Sequence, residues 1–232
     1  ILGIESSCDD TSAAITLNNK VISNIVSSQK IHQKFGGVVP ELASRSHQNN
    51  IIPVVSHALK IANIHQKQLN AIAFTRGPGL LGSLLVGTSF AKSLSLSLNI
   101  PLIDVNHMKA HVIANFINNT DISFPLLCLT VSGGHTQIVL VKSVYEMKII
   151  GETIDDSAGE AFDKSAKMLG LSYPGGPIIE KMALMSNKEN KYTFPEPKID
   201  HLNFSFSGLK THISRFIKKE QKKDPLFITK NL

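Results

Sequence analysis

The feature that most constrains the fold is a pattern that occurs twice: an apolar strand, a turn of small polar residues, and a second apolar strand. The first copy reads ILGIE, SSCDDT and SAAITL, and the second reads LLCLTV, SGGHT and QIVLV. Thr11 and Thr136 fall at matching places in the two copies. Since such self-similarity indicates internal duplication, the sequence predicts two α/β lobes, residues 1–124 and 125–232, facing each other across a central cleft.

Helix and strand patterns alternate after the first copy, as expected of an α/β lobe. A helix is predicted to begin at Pro40, with Pro40 and Glu41 in the first turn, where proline and carboxylates are favourable. The strands AIAFTR and IPLIDVN then enclose a long apolar helix, and a helix with two histidines follows. Further along, we predict a loop over 187–203 and a helix over 207–223.

The stretch TRGPGLLGS places Gly77, Gly79 and Gly82 in the spacing of a dinucleotide-binding turn. Pro78 separates the first two glycines, and the motif lies deep in the chain. We therefore favour the alternative that these glycines allow a tight turn and close helix packing.

His107 and His111 are spaced so that both imidazoles lie on one face of a helix, where they could share a metal ion. The pattern is close to the H-E-x-x-H of zinc proteases, but Met108 occupies the place of the catalytic Glu. Zinc and iron sites need at least one further protein ligand. The alternative is a chance pair of ordinary histidines in a chain that contains nine.

Two stretches of the second lobe are candidates for binding an anion. In TVSGGHT, a strand runs into Ser132, Gly133 and Gly134, whose backbone N–H groups could cradle a phosphate, although a plain hairpin turn fits equally well. A helix starting near Ser157 carries Asp163 well inside it, as part of a site or of a solvated acidic face. The following YPGGP predicts a turn that contacts a ligand or only reverses the chain.

Composition indicates the cellular compartment and the kind of partner. The two cysteines form no metal or disulfide motif, and no run of about 18 apolar residues predicts a membrane span, which favours a reducing, cytoplasmic protein without membrane contact. The net charge of +6 is compatible with an RNA partner. The stretch KTHISRFIKKEQKK is a candidate RNA-binding patch, and the alternative is a solvated helix face.

Eight motifs occur in a characteristic order: GIESSCDDTS, GGVVPELASRSH, RGPGLLGSLLVG, NHMKAH, VSGGHTQIVLV, DDSAGEAFDKSAKMLGL, YPGGP and FSFSGLKT. Together they resemble the TsaD/Gcp (YgjD) family of tRNA N6-adenosine threonylcarbamoyltransferases. The resemblance implies the duplicated ribonuclease H-like, actin-like ATPase fold. It also implies transfer of a threonylcarbamoyl group from threonylcarbamoyl-AMP to N6 of adenosine 37 in tRNAs that read codons beginning with A.

The resemblance further assigns partners and site residues. It implies one metal ion, iron(II) with zinc as the alternative, bound by His107 and His111 and by an Asp that this chain does not contain, so the sequence is expected to be C-terminally incomplete. It implies an adenylate or ATP-type nucleotide in the cleft, a paralogous TsaB-like subunit and a TsaE-like ATPase. The matching substrate-binding positions are Thr130, Val131, Ser132, Gly133, Gly134, Asp163 and Gly176.

No general base is evident, and Asp9 or Asp10 in the first polar turn is the candidate. Two other classes remain open from the residues alone. One is an actin-like nucleotide-binding scaffold or ATPase without transferase activity. The other is a metalloprotease, which Met108 disfavours.

Overall fold

The computed structural model describes residues 1–117, 119, 121–185 and 192–224. The chain forms two compact units, Ile1–Ile122 and Ser123–Leu232. Each unit combines a β-sheet with helices, so the predicted mixed α/β class is confirmed.

The first unit is built on a five-stranded sheet of β1 (Leu2–Glu5), β2 (Asp10–Leu17), β3 (Lys20–Ser28), β4 (Ile72–Gly77) and β5 (Leu102–Asn106). The strand order is β3-β2-β1-β4-β5. Strands β1 to β3 pair antiparallel, and β4 and β5 run parallel to β1. This order and these directions are those of a ribonuclease H-like sheet.

Three α-helices accompany this sheet: α1 (Pro40–Ile61), α2 (Leu81–Leu98) and α3 (His107–Ala114). Short 3-10 helices cover Lys30–Phe35 and Gln66–Gln68. Helix α1 begins at Pro40 with Glu41 in its first turn, which confirms the predicted start. Helix α2 is long and apolar enough to cross a membrane by length and composition alone, and it packs here against α1 and β4.

The core of this unit lies on one face of the sheet. Leu2 and Ile4 of β1 are buried in one hydrophobic cluster with Ile51 and Val55 of α1. Because side chains alternate along a strand, Gly3 and Glu5 of β1 point to the other face. The carboxylate of Glu5 therefore lies on the sheet face opposite the core.

The second unit has an antiparallel sheet of β6 (Leu126–Val131), β7 (Thr136–Val141) and β8 (Met147–Glu152), in the order β6-β7-β8. Helices α4 (Ala158–Met168), α5 (Gly175–Met185) and α6 (Ser207–Lys223) follow. The predicted helix over 207–223 is confirmed. The turn predicted for YPGGP is wrong after Pro174, because α5 already begins at Gly175. Pro177 fits its first turn, where a proline needs no N–H partner.

The duplicated strand pattern is visible in the contacts of the two matching threonines. Thr11 of β2 and Thr136 of β7 are buried, with 0% and 4% of their surfaces exposed. The Thr11 hydroxyl hydrogen-bonds His47 Nδ1 of α1 at 2.8 Å, and the Thr136 hydroxyl accepts the backbone N–H of Ala158 in α4 at 2.9 Å. In each unit this threonine joins the second strand to the helix that follows the third.

Candidate functional site

The histidine pair lies at the start of α3, immediately after β5. The side chain of Asn106 accepts the backbone N–H of Lys109 and so caps the helix at His107. His107 Nε2 and His111 Nε2 are 3.0 Å apart. Since zinc binds imidazole nitrogen at about 2.0–2.1 Å, both atoms can reach one metal ion. Sequence spacing alone correctly placed the two rings on one helix face.

Glu5 is a site residue that the sequence reasoning missed. Its Oε2 atom accepts hydrogen bonds from His107 Nδ1 at 3.1 Å and from the Thr75 hydroxyl at 2.7 Å. The backbone N–H of Ser7 donates to its Oε1 atom. A carboxylate can only accept, so Nδ1 of His107 carries the proton and the Nε2 lone pair faces His111. A carboxylate behind an imidazole is the usual partner of a metal-binding histidine.

Glu5 is held in its ionised form. Burial raises the pKa of this carboxyl, but hydrogen bonds from His107, Ser7 and Thr75 outweigh burial and lower the pKa from 4.5 to about 2. An ionised carboxylate at this position would make His107 a stronger ligand for a metal ion.

The donor set fits a borderline metal ion such as iron(II) or zinc, because it offers two imidazole nitrogens and one supporting carboxylate. Among the described residues, no group of three His, Cys, Asp or Glu side chains could hold a metal ion. The two histidines are therefore part of a possible site, and the metal and its third ligand stay predictions.

The loop that carries Ser6, Ser7 and Cys8 is fixed by backbone contacts. The N–H of Leu80 donates to the Ser7 carbonyl at 2.7 Å. Nε2 of buried His47 donates to the Cys8 carbonyl at 3.0 Å. Since Glu5 precedes this loop, these contacts hold its carboxylate in place behind His107.

Two glycines of the GPGLLG stretch pack against this loop and against α1. A Cβ atom on Gly79 would lie 2.4 Å from the Ser7 carbonyl oxygen, and one on Gly82 would lie 2.3 Å from the Ser44 hydroxyl. The favoured interpretation of this motif, close packing rather than dinucleotide binding, agrees with these distances.

The candidate bases follow in the same loop. Asp9 is half-buried, and Asp10 is exposed as the first residue of β2. The pKa of the Cys8 thiol is raised to about 12, first by desolvation and then by the negative charges of Asp9, Asp10 and Glu5. Cys8 therefore stays protonated at neutral pH and is no thiolate nucleophile.

A cavity of about 340 Å³ opens beside the histidine pair within the first unit. Glu5, Thr75, His107 and His111 border it at one side. Apart from Ser12 and Asn24, the other lining residues are small or apolar, among them Gly3, Ala14, Ala73, Val105 and Ala110. The two Nε2 atoms thus adjoin a concave surface with room for a small molecule.

The predicted nucleotide turn in the second unit is anchored on α4. The Ser157 hydroxyl donates to the Gly133 carbonyl at 2.8 Å, and the Gly159 N–H donates to the Ser132 carbonyl at 3.2 Å. A Cβ atom on Gly159 would lie 2.5 Å from the Ser132 carbonyl oxygen, so this position requires glycine. Gly133 and Gly134 are exposed, with nothing near their missing Cβ atoms.

Thr130 and Val131 precede this turn at the end of β6. The Thr130 side chain is only 7% exposed, and its hydroxyl has no hydrogen-bond partner among the described residues. Val131 is 52% exposed. Burying a hydroxyl without a hydrogen-bond partner costs free energy, and the contact of Thr130 with a substrate stays a prediction.

Asp163 of α4 and Gly176 of α5 both lie near the junction of the two helices. Asp163 Oδ1 accepts the backbone N–H of Gly175 at 2.6 Å, at the first turn of α5. A Cβ atom on Gly176 would lie 3.9 Å from the Phe162 side chain. The carboxylate thus has a structural role at the α5 N-terminus, while its ribose-binding role stays a prediction.

The DDS and FSFSGLK stretches meet in the second unit. Asp155 Oδ1 accepts the backbone N–H groups of Phe206 and Ser207 at 2.8 and 3.2 Å, which caps α6. Asp156 bridges Lys164 at 2.8 Å and Lys210 at 2.5 Å, and the hydrogen bonds from Lys164 and Lys210 lower its pKa. These contacts fix the start of α6 on the segment that leads into α4.

The fold and the site together define a duplicated α/β protein with a carboxylate-supported histidine pair and a glycine turn. A family model described as "TsaD: tRNA N6-adenosine threonylcarbamoyltransferase" matches residues 20–227. The chain belongs to the TsaD family, as its motifs predicted.

Curated relatives with the same family description align with the whole chain. It is 62% identical to the tRNA N6-adenosine threonylcarbamoyltransferase of Christiangramia forsetii and 59% identical to that of Riemerella anatipestifer. Each alignment covers 100% of this chain and 69% of the relative. Among solved structures, the chain is similar to YeaZ from Pseudomonas aeruginosa, with 15% identity and a TM-score of 0.45 over 68% of this chain and 66% of that one.

Proposed function

We propose that this protein transfers the threonylcarbamoyl group of threonylcarbamoyl-AMP to N6 of adenosine 37 in tRNAs that read codons beginning with A. The observation that carries the proposal is family membership along the whole chain, at 62% identity to a transferase of that name. The geometry of Glu5, His107 and His111 supports it, because residues from distant motifs meet around one pair of imidazole nitrogens.

The reaction needs no further activation of the donor by the protein. The N6 amine attacks the carbamoyl carbon, a C–N bond forms, the C–O bond to the adenylate phosphate breaks, AMP leaves, and N6 loses one proton. The donor is already a reactive anhydride. A metal ion held by His107 and His111 would polarise the donor oxygens. Glu5 keeps the ring of His107 in the required tautomer.

The residues of the second unit are proposed to hold the adenylate. The turn over Ser132, Gly133 and Gly134 would contact the phosphate through its backbone N–H groups, with Thr130 and Val131 leading into it at the end of β6. Asp163 would accept a ribose hydroxyl. Asp9 or Asp10 would take the N6 proton.

The partners and the setting are part of the same proposal. tRNA is the acceptor, and a TsaB-like subunit and a TsaE-like ATPase are the protein partners. The expected compartment is the cytoplasm, where the tRNA acceptor is found. Its reducing environment also suits the free thiols of Cys8 and Cys128.

The test uses cells that lack the gene and then regain it. Mass spectrometry of tRNA nucleosides should show unmodified adenosine 37 in the deletion strain and full modification after complementation. Complementation with His111→Ala should leave the adenosine unmodified. A scaffold or ATPase without transferase activity predicts modified adenosine in the deletion strain, which would contradict the proposal.

A further inference from the structure

Helix α6 carries a stripe of positive charge that the proposed transferase chemistry does not use. Arg215, Lys218, Lys219 and Lys222 are all exposed. Residues spaced by three, four and seven positions share one face of a helix, so these four cations form a continuous stripe, here called the α6 basic surface. It is about 10 Å long, a length over which a nucleic-acid backbone carries several phosphates.

The charges on this surface are not neutralised. Within the described part of the chain, none of its four cations has a carboxylate within 4.0 Å. The one acidic residue inside the helix, Glu220, pairs with Lys223 at 2.7 Å. Lys210 at the start of the helix is matched by Asp156 and contributes no excess charge. Lys210 and Lys223 are thus paired with carboxylates, whereas the four cations of the α6 basic surface are exposed and unpaired within the described residues.

The other side of α6 is already occupied within the unit. Ile217 is 5% exposed, and α6 packs on α4. Phe216 contacts the ring of Tyr192 at a centroid distance of 4.7 Å. A basic amphipathic helix that binds a membrane needs a free apolar face, and α6 has none to offer. The exposed side of α6 is therefore polar and positively charged, and Asp155 caps the start of the helix.

Aromatic rings lie beside the positive charge. Phe194 stacks edge-on against His212 of α6 at 5.7 Å, and it is 38% exposed. Tyr192 next to it is 41% exposed. Proteins that bind RNA loops combine exposed rings, on which unpaired bases stack, with cations that contact the phosphates.

A groove adjoins the rings and the charges. It has a volume of about 440 Å³ and is lined by Pro195, Pro197, Ser207, Thr211 and Arg215 among others. Arg215 belongs both to the groove and to the α6 basic surface. A groove beside a row of positive charges can accept a looped RNA backbone, whereas the flat surface of an acidic protein would contact the charges and leave the groove unfilled.

We propose that the α6 basic surface, together with Tyr192 and Phe194, is where this protein docks the phosphate backbone of its RNA acceptor. The inference rests on the proposed transfer to tRNA. It assigns to the second unit a contact with the RNA itself, in addition to its proposed contact with the adenylate.

The test compares two charge-matched variants of the full-length protein. One carries Lys218→Gln, Lys219→Gln and Lys222→Gln. The control carries Lys20→Gln, Lys60→Gln and Lys67→Gln, three exposed lysines of the first unit. Affinity for unmodified tRNA is measured over a range of salt concentrations, and affinity for the adenylate donor is measured alongside. Thermal unfolding confirms that both variants fold.

The α6 variant should bind tRNA at least tenfold more weakly, and its salt slope should fall by roughly 0.7–0.9 for each phosphate that the protein no longer neutralises. Its affinity for the donor should stay at the wild-type value. Equal slopes in the two variants would overturn the proposal, as would impaired binding to a protein partner with tRNA affinity intact. Failure of the wild-type protein to modify tRNA would instead refute the proposed function, so the two failures are distinguishable.

Discussion

Glu5→Gln should weaken metal binding without removing either histidine. Three donors converge on the two carboxylate oxygens: Nδ1–H of His107, the hydroxyl of Thr75 and the backbone N–H of Ser7. Glutamine has one acceptor oxygen and brings two N–H donors of its own. At least one of the three donors then faces another donor, and the charge-assisted hydrogen bond to His107 disappears.

The size of the effect follows from that hydrogen bond. Removing the outer partner of a metal-binding histidine lowers metal affinity by roughly 10- to 100-fold, which is about 1.4–2.7 kcal/mol. The upper end is expected here because His107 Nδ1 depends on Glu5 for its carboxylate partner, at 3.1 Å. His111 should keep its own Nε2 atom available, so some affinity should remain.

The assay is a competition titration of the metal-free, full-length protein with cobalt(II) or zinc against a chelator of known affinity. Asp104→Asn is the matched control, because Asp104 is an exposed carboxylate on strand β5 of the same sheet and pairs with Arg76. It should leave affinity unchanged. The reasoning is refuted if Glu5→Gln binds metal as tightly as Asp104→Asn while His111→Ala abolishes binding.

Three further predictions follow from the structure. Gly159→Ala should destabilise the protein by about 1–3 kcal/mol in urea unfolding, because its Cβ would lie 2.5 Å from a backbone oxygen of the glycine turn, whereas Gly208→Ala, with open space around it, should not. Asp163→Ala should lower affinity for the adenylate in calorimetric titration, and unchanged affinity would restrict its carboxylate to capping Gly175. Because the folded-state pKa of Glu5 is lowered to about 2, its ionised form stabilises the fold above about pH 4.5, and this contribution is lost as the pH falls toward 2. After solvent screening is allowed for, it amounts to about 2 kcal/mol, and a wild-type unfolding curve that parallels Glu5→Gln over that pH range would contradict it.

Local sequence patterns were sufficient to predict several helices and strands. Pro40 marks the start of α1, and the apolar spacing of Leu209, Ile213 and Ile217 marks α6. Apolar segments separated by turns of small polar residues predict the strands of both copies of the repeat. The error at YPGGP came from treating two glycines as a turn, although Pro177 suits the first turn of a helix as well as it suits a loop.

Glu5 was missed because its contacts are distant in sequence. Thr75 and His107 reach it only after β4 is placed beside β1 and β5 beside β4 in the sheet. A usable signal was nevertheless present. The carboxyl ends of parallel strands meet at one edge, and Glu5 ends β1, while His107 directly follows β5. Predicting the pair required the strand order, which no local pattern contains.

Met108 explains why the histidine pair is not part of a peptidase site. In H-E-x-x-H enzymes, the residue after the first histidine is the base that activates water. Here that side chain is only 9% exposed. A carboxylate at this position would be buried without a partner, at a cost of several kcal/mol. The carboxylate that contacts the pair is instead Glu5, which accepts from Nδ1 and orients the ring. Such an arrangement would orient His107 toward a metal ion, and it places no carboxylate where the base of an H-E-x-x-H enzyme lies.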